Sequence, residues 1–196
     1  MKPKILVFSG STRKGSYNKM LAALVAKHLT IANADVTTIS LAEYPLPIYD
    51  GDLEDETGIP ENAFKLRKLI ETHHGIFIAS PEYNSSITPL LKNTLDWISR
   101  IQLPEEEPLQ LFHTSVYAVG GASPGAHGSL RGLMHLRTIM EVSLGCLVLP
   151  EMISINFAGK SFDENGDLTK DHQIKRLHKL IERFVSEASH VKLQDN

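Results

Sequence analysis

The chain has 196 residues, of which 42% are hydrophobic and 22% charged, with a formal net charge of −3. That is the make-up of one globular domain spanning 1–196, and it argues against nucleic acid or an anionic membrane as the main partner. A lone cysteine, Cys146, precludes an intrachain disulfide; no apolar window approaches the ~20 residues that span a bilayer, and the apolar stretch 5–8 is too short for a secretory signal, so a cytoplasmic setting is expected.

Lys4–Ser9 is a short apolar run rich in β-formers and predicts a first strand. Residues 10–17 form a polar loop of small residues, and over 18–32 the apolar side chains Met20, Leu21, Leu24, Val25 and Leu29 recur at helical spacing. The β-branched run Asp35–Ser40 predicts a second strand. Residues 41–60, rich in Pro, Gly and acidic side chains, read as a long surface loop. A helix is expected over 61–74 with Leu66, Leu69 and Ile70 inward. A continuous apolar strand follows over 75–80, the pattern of a parallel sheet covered on both faces. A polar loop over 81–87 leads into a helix over 89–100, with Pro89 in its first turn, where a missing N–H is harmless. Residues 101–113 read as a connector, 115–120 as a fourth strand, 121–128 as a Gly-rich loop, and 130–145 as a helix that Gly145 ends. A fifth strand is expected over 146–149, broken by Pro150 and resuming over 152–157. After a turn comes a final amphipathic helix over 173–188 and a polar, fraying tail. Cys146, in an apolar run, is expected to pack in the core.

This alternation predicts an α/β sandwich: a five-stranded parallel sheet with helices on both faces. Such sheets bind ligands at the C-terminal ends of their strands, where strand order reverses. In the order 2-1-3-4-5, strands one, three and four are neighbours. The loops that follow them, 10–17, 81–88 and 121–129, then line one edge.

Loop one has phosphate chemistry. Ser11, Thr12, Ser16 and Asn18 offer hydroxyl and amide donors beside a helix N-terminus, and Arg13 adds a permanent cation. It is neither a Walker A loop nor a G-x-G-x-x-G fingerprint, so a terminal monophosphate fits better than a pyrophosphate. The plainer reading is a βα loop with Ser16 or Asn18 as N-cap. In loop two, Tyr83 presents a flat amphipathic face and Asn84, Ser85 and Ser86 offer donors and acceptors, while Glu82 reads better as a loop-shaping or subunit-contact residue than as a general base. In loop three, glycines permit close backbone approach to a ligand and Ser123 can donate to a carbonyl; a flexible loop with a solvated His127 is the plain alternative. No metal-ligand spacing and no G-x-S-x-G elbow occur. No protein nucleophile or acid–base set stands out, which points to a cofactor as the source of reactivity.

The motifs GSTRKGSYN at 10–18, SPEYNSSITPLLKNTLDW at 80–97 and GASPG at 121–125 resemble those of the NADPH-dependent FMN reductases of the flavodoxin-like superfamily, which include quinone, azo-dye and chromate reductases. The resemblance runs through about four-fifths of the chain and is weakest at 41–60 and in the tail. It implies a flavodoxin-like three-layer sandwich with sheet order 2-1-3-4-5, binding FMN non-covalently in a homodimer or homotetramer. It also implies a hydride passed from NADPH or NADH through FMN to a small-molecule acceptor: a quinone, azo compound, metal oxyanion or flavin. Ser11, Arg13, Ser16, Tyr17 and Asn18 would lie at the FMN phosphate, and Pro81, Glu82, Tyr83, Asn84, Ser85 and Ser123 at the isoalloxazine, with no catalytic side chain and no metal. Position 85 is often Gly in that family. Asp96 and Trp97 fall where relatives commonly make subunit contacts; packing of Trp97 on the sheet is the alternative. The rival function is a flavodoxin-type electron carrier that oxidises no NAD(P)H. The small net charge and the cations Arg13 and Lys14 argue against it.

Overall fold

In a computed structural model that describes residues 2–193, five strands form one all-parallel sheet in the order β2-β1-β3-β4-β5. They are β1 Lys4–Ser9, β2 Asp35–Ser40, β3 Gly75–Ala79, β4 Val116–Ala122 and β5 Leu147–Ile155. The helices are α1 Tyr17–Ile31, α2 Gly51–Thr57, α3 Glu61–Glu71, α4 Pro89–Ser99, α5 Gln110–His113, α6 Leu130–Thr138 and α7 Asp171–Ala188.

Neighbouring strand residues point to opposite faces, and each face has its own core. Ile5, Val7, Phe77 and Ala118 face α1 and α7, where Leu21, Leu24, Val25, Leu177, Leu180 and Phe184 cover them. Leu6, Phe8, Ile76, Ile78 and Tyr117 face α3 to α6, under Leu66, Ile70, Leu91, Leu95, Phe112 and Leu133. Each fully buried Leu, Ile or Phe contributes about 1.5–3 kcal/mol relative to exposure, so the two cores hold the sheet. The three central strands are buried almost throughout, whereas edge strand β2 is half-exposed. No helix among the described residues is long and apolar enough to cross a membrane.

The structure departs from the expectation at four places. Residues 41–60 are not one loop: a short 3-10 turn, Leu41–Glu43, precedes α2. The Asp50 carboxylate caps α2, accepting from Asp52 N–H (2.9 Å) and Leu53 N–H (3.3 Å), and Gly58, at φ +74°, ends it. No residue of α2 is buried, so it carries no apolar periodicity. The segment before α2 is strapped down by α4. Asn93 accepts from Tyr49 N–H (2.7 Å) and donates to the Pro47 carbonyl (2.8 Å), which also accepts from Trp97 Nε1–H (2.8 Å). Trp97 is fully buried, edge-on to Tyr49, and so packs within the chain instead of offering a subunit contact.

The connector 101–113 holds the single turn α5. After Thr138 the expected helix widens into a π turn, Ile139–Ser143, before Gly145 turns the chain at φ +68°. Strand five is continuous through Pro150. A register shift opposite Ala118 takes Val148 beside Tyr117 and Met152 beside Val119, and on an edge strand such a bulge absorbs a proline. Cys146 is buried, and that burial pushes its thiol up to about 12. The fraying expected of the tail concerns, from 194 on, residues outside those described.

Candidate functional site

Loops one, two and three leave the C-terminal ends of β1, β3 and β4, the three adjacent central strands. The ladder continues past the strands: Gly10 N–H donates to the Ala79 carbonyl (2.9 Å), Ser80 N–H to Gly120 (2.7 Å) and Ser123 N–H to Ile155 (3.0 Å). The loop bases are therefore held in register with the sheet.

Three side chains then tie the loops in pairs. Thr88 joins two to one: its hydroxyl donates to the Gly10 carbonyl (2.7 Å) and accepts from Leu91 N–H (3.2 Å), capping α4. Asn18 joins one to three: its amide donates to the Ala122 carbonyl and accepts from Ala122 N–H, both at 2.9 Å, at 4% exposure. Glu82 joins two to three: its carboxylate accepts from Arg131 Nε (2.9 Å), a second Arg131 nitrogen (2.5 Å) and Gly132 N–H (3.0 Å) in the first turn of α6. Burial alone would raise the Glu82 pKa; the Gly132 N–H and the Arg131 guanidinium outweigh it and hold the carboxyl below its ordinary value. Loop approach also fixes residue size. A Cβ on Gly121 would stand 2.6 Å from Ser129 Cβ and 2.8 Å from the Ser80 carbonyl oxygen, so glycine is required there.

At the mouth of loop one, Ser16 occupies the N-cap position of α1 with no cap bond from its side chain, and the first turn of α1 carries no acidic residue. The helix thus presents free N–H groups and the positive end of its dipole. The Ser11 hydroxyl accepts from Arg13 N–H (3.3 Å). Arg13 is exposed, reaches only the Gly15 carbonyl at 3.4 Å, and has no carboxylate partner among the described residues. A donor set without a competing acid fits a phosphate. Tyr17 leans on the turn after β5, where a Cβ on Gly159 would lie 3.0 Å from its hydroxyl.

Loop two folds into a tight turn. Tyr83 and Ser86 exchange N–H···O bonds (2.9 and 3.0 Å), and both central residues, Asn84 and Ser85, are left-handed at φ +49° and +67°. Tyr83 is 50% exposed. Pro81 is buried against loop one, a Cβ on Gly10 lying 3.4 Å from its ring. In loop three Ser123 is half-buried. His127 is exposed.

Ser11, Arg13 and Ser16 thus share the N-terminal mouth of α1. Asn18 and Glu82, in contrast, have side chains committed to the protein. Sequence reasoning missed Thr88, Ser129 and Arg131. Ser129 is buried at α6's N-cap position, with a hydroxyl that has no protein partner. The T-P start of α4 was the available signal for Thr88 as a cap; the Glu82–Arg131 pair, 49 residues apart, had none. No cluster of three or more His, Cys, Asp or Glu able to hold a metal occurs among the described residues.

The family model described as NADPH-dependent FMN reductase matches residues 3–160. An NAD(P)H-dependent FMN reductase of Pseudomonas aeruginosa is 35% identical over 173 residues, which are 86% of this chain and 85% of that protein. A quinone reductase of Escherichia coli is 33% identical over 187 residues, 90% of this chain and 92% of that protein. Among solved structures, the flavoenzyme NAD(P)H:(acceptor) oxidoreductase FerB of Paracoccus denitrificans superposes with a TM-score of 0.76 at 27% identity, covering 95% of this chain and 97% of that one.

Proposed function

The chain belongs to the NADPH-dependent FMN reductase family, and from that premise we propose that it binds FMN where loops one, two and three meet and reduces quinones with NAD(P)H. The chain is an FMN-dependent NAD(P)H oxidoreductase. The observation that carries the placement is the acid-free donor cluster at the mouth of α1, tied directly to the two loops beside it. The quinone acceptor is supported by the Escherichia coli relative, a quinone reductase.

The N–H groups of α1's first turn, the Ser11 and Ser16 hydroxyls and the Arg13 guanidinium would hold the FMN phosphate. Tyr17 and Asn18 serve that end by shaping it: Tyr17 leans on the turn at Gly159, and Asn18 fixes the start of α1 against Ala122. Residues Pro81 to Ser85 and Ser123 would border the isoalloxazine, with the half-exposed Tyr83 beside it. Bound there, FMN supplies the two-electron chemistry between NAD(P)H and the acceptor. The chain's own work is binding and orientation, and no side chain is assigned a proton transfer.

A homo-oligomer is part of the proposal, supported by exposed apolar side chains on and after α6: Leu130, Met134, Val142 and Leu147. So is a cytoplasmic setting, which suits the one free, buried thiol. The test loads the purified protein with FMN and adds NADPH, or NADH, without oxygen. Bleaching of the visible flavin absorbance, reversed by benzoquinone, is expected. A flavin that stays oxidised with both nucleotides would overturn the reductase reading in favour of an electron carrier. Bleaching that benzoquinone does not reverse would refute the acceptor. Sedimentation at the monomer mass would refute the oligomer.

A further inference from the structure

Phe157, on the turn that follows β5, is held in a backbone conformation that its side chain disfavours. Its φ is +49°, in the left-handed region, where a Cβ crowds the following carbonyl oxygen. The hydrogen bonds that hold the turn make no use of the phenyl ring. Phe157 N–H donates to the Gly125 carbonyl and Ala158 N–H to the Ser123 carbonyl, both at 3.0 Å, so the turn is fastened to loop three. The Ser161 hydroxyl donates to the Asn156 carbonyl (2.9 Å), and Gln173 of α7 donates from Nε2 to Asn156 Oδ1 (3.1 Å). The side chain joins neither core, and Phe157 is 47% exposed. Backbone strain of this kind persists only where the surroundings over-determine it, and it gathers at ligand contacts.

Two cations accompany the ring. Lys170 Nζ stands 5.5 Å from its centroid. Lys160 ends the 3-10 turn Ala158–Lys160, and its N–H donates to the Phe157 carbonyl (2.8 Å). Neither ammonium forms an ion pair among the described residues. An exposed aromatic ring with two cations that no carboxylate neutralises recognises a planar, π-rich anion. NADPH carries such a group at the end remote from its nicotinamide: an adenine beside a 2′-phosphate. None of these residues belongs to loop one, so the FMN phosphate keeps the donors already assigned to it.

We propose, on the reductase reading above, that Phe157, Lys160 and Lys170 receive the adenosine 2′-phosphate half of NADPH, with adenine on the phenyl ring and the phosphate on the two ammonium groups. This contact makes NADPH the preferred donor over NADH.

The FMN-saturated protein is titrated with adenosine 2′,5′-bisphosphate and, separately, with 5′-AMP, and backbone amide NMR shifts are followed. Saturable binding of the bisphosphate that moves the amides of Phe157 and Lys170 is expected, with 5′-AMP weaker by about tenfold, the worth of one charge-assisted contact. Phe157→Gly should weaken both by about tenfold, the worth of one stacked base, and keep a urea midpoint near that of wild type, since glycine adopts that φ freely. Lys160→Met combined with Lys170→Met should abolish the preference for the bisphosphate. In steady-state reduction of benzoquinone, Phe157→Gly should raise KM for NADPH about tenfold at unchanged kcat. Turnover of reduced nicotinamide mononucleotide, which lacks the adenosine half, should stay at the wild-type level. No saturable bisphosphate binding, equal binding of 5′-AMP, a Phe157→Gly protein with weakened FMN affinity, or one that also loses activity with the mononucleotide would each overturn the proposal. Bisphosphate binding that persists in a protein whose flavin no donor bleaches would support the adenosine site and overturn the reductase reading alone.

Discussion

Asn18 forms a closed pair of hydrogen bonds with the backbone of Ala122, donating to its carbonyl and accepting from its N–H, both at 2.9 Å, across 104 residues of chain. A backbone N–H and carbonyl at the end of the central strand β4 are satisfied by one side chain on the first turn of α1. Removing that side chain leaves both buried groups without partners, at about 1–3 kcal/mol each, less what water recovers. Asn18→Ala should therefore lower the unfolding free energy by about 2–4 kcal/mol in urea denaturation. Asn18→Asp should not rescue it, since a carboxylate cannot donate to the Ala122 carbonyl. An Asn18→Ala protein as stable as wild type would show that the clamp carries no weight.

Glu82 and Arg131 make the corresponding tie between loops two and three, and this one depends on pH. The Glu82 carboxyl titrates below its ordinary value in the folded chain. Its contribution to stability is present above the unfolded value, ~4.3, and is lost as pH falls from there through the lower folded value. Glu82→Gln removes that dependence. Wild type should exceed the variant in urea stability at neutral pH, and the gap should close below about pH 4. A gap that widened on acidification would contradict the pairing.

Arg13 is the exposed cation at the proposed phosphate site, and no acidic side chain among the described residues neutralises it. A charge-assisted contact to a phosphate contributes about 1.5–3 kcal/mol, so Arg13→Ala should weaken FMN affinity by roughly ten- to a hundredfold. The unfolding midpoint of the FMN-free protein should stay within experimental scatter of wild type, because the side chain touches only the Gly15 carbonyl. Fluorescence titration with FMN measures the first and urea denaturation the second. Unchanged FMN affinity would remove the phosphate from loop one.

Three histidines give the fold a second acid-sensitive range. His28, His73 and His74 are all held below the ordinary imidazole value, in each case first by burial; His178 lowers His28 further, and Lys4 lowers the other two. His74 Nδ1 must be unprotonated to accept from Lys4 N–H at 3.0 Å. For such groups the contribution is complete above the unfolded value, ~6.5, and declines as pH falls through the folded one. Stability should therefore fall as pH drops below about 7. His74→Leu should be less stable than wild type at pH 8, having lost that acceptor, yet show a shallower decline on acidification. A decline as steep as that of wild type would exclude His74 as a source.

Much of this arrangement was legible in the chain. Continuous apolar strands such as Gly75–Ala79 announced a parallel sheet buried on both faces, and the three polar loops followed from its order. The hidden part is of two kinds. α2 has a single apolar side chain, Leu53, packed against the Trp97 cluster, so its only local signals were the Asp50 cap and Gly58, with no periodicity to join them. Asn18 read as a ligand donor because its amide suits a phosphate as well as it suits Ala122. Nothing local separates the two, and only the fold brings residue 122 within 2.9 Å. Glu82 was legible as a loop-shaping residue, but its partner Arg131 was not, since the pairing depends on where α6 begins.

Ser85 is a residue at the candidate site whose identity works against its backbone, as Glu105, Leu109 and Phe157 do elsewhere. It sits at φ +67° in the second central position of the turn closed by Tyr83 and Ser86, next to Asn84 at φ +49°. Asn tolerates the left-handed region; a serine there is disfavoured by roughly 1 kcal/mol relative to glycine. Ser85→Gly should relieve that strain, although it also gives the unfolded chain more freedom, which offsets part of the gain. The expected net is a stabilisation of about 0.5 kcal/mol in urea denaturation, with the Tyr83–Ser86 pair retained. Asn84→Val, which places a β-branched residue in the same left-handed region, should move stability the other way by about 1–2 kcal/mol. If both variants shifted the midpoint in the same direction, the left-handed geometry of the loop would not be what these positions sense.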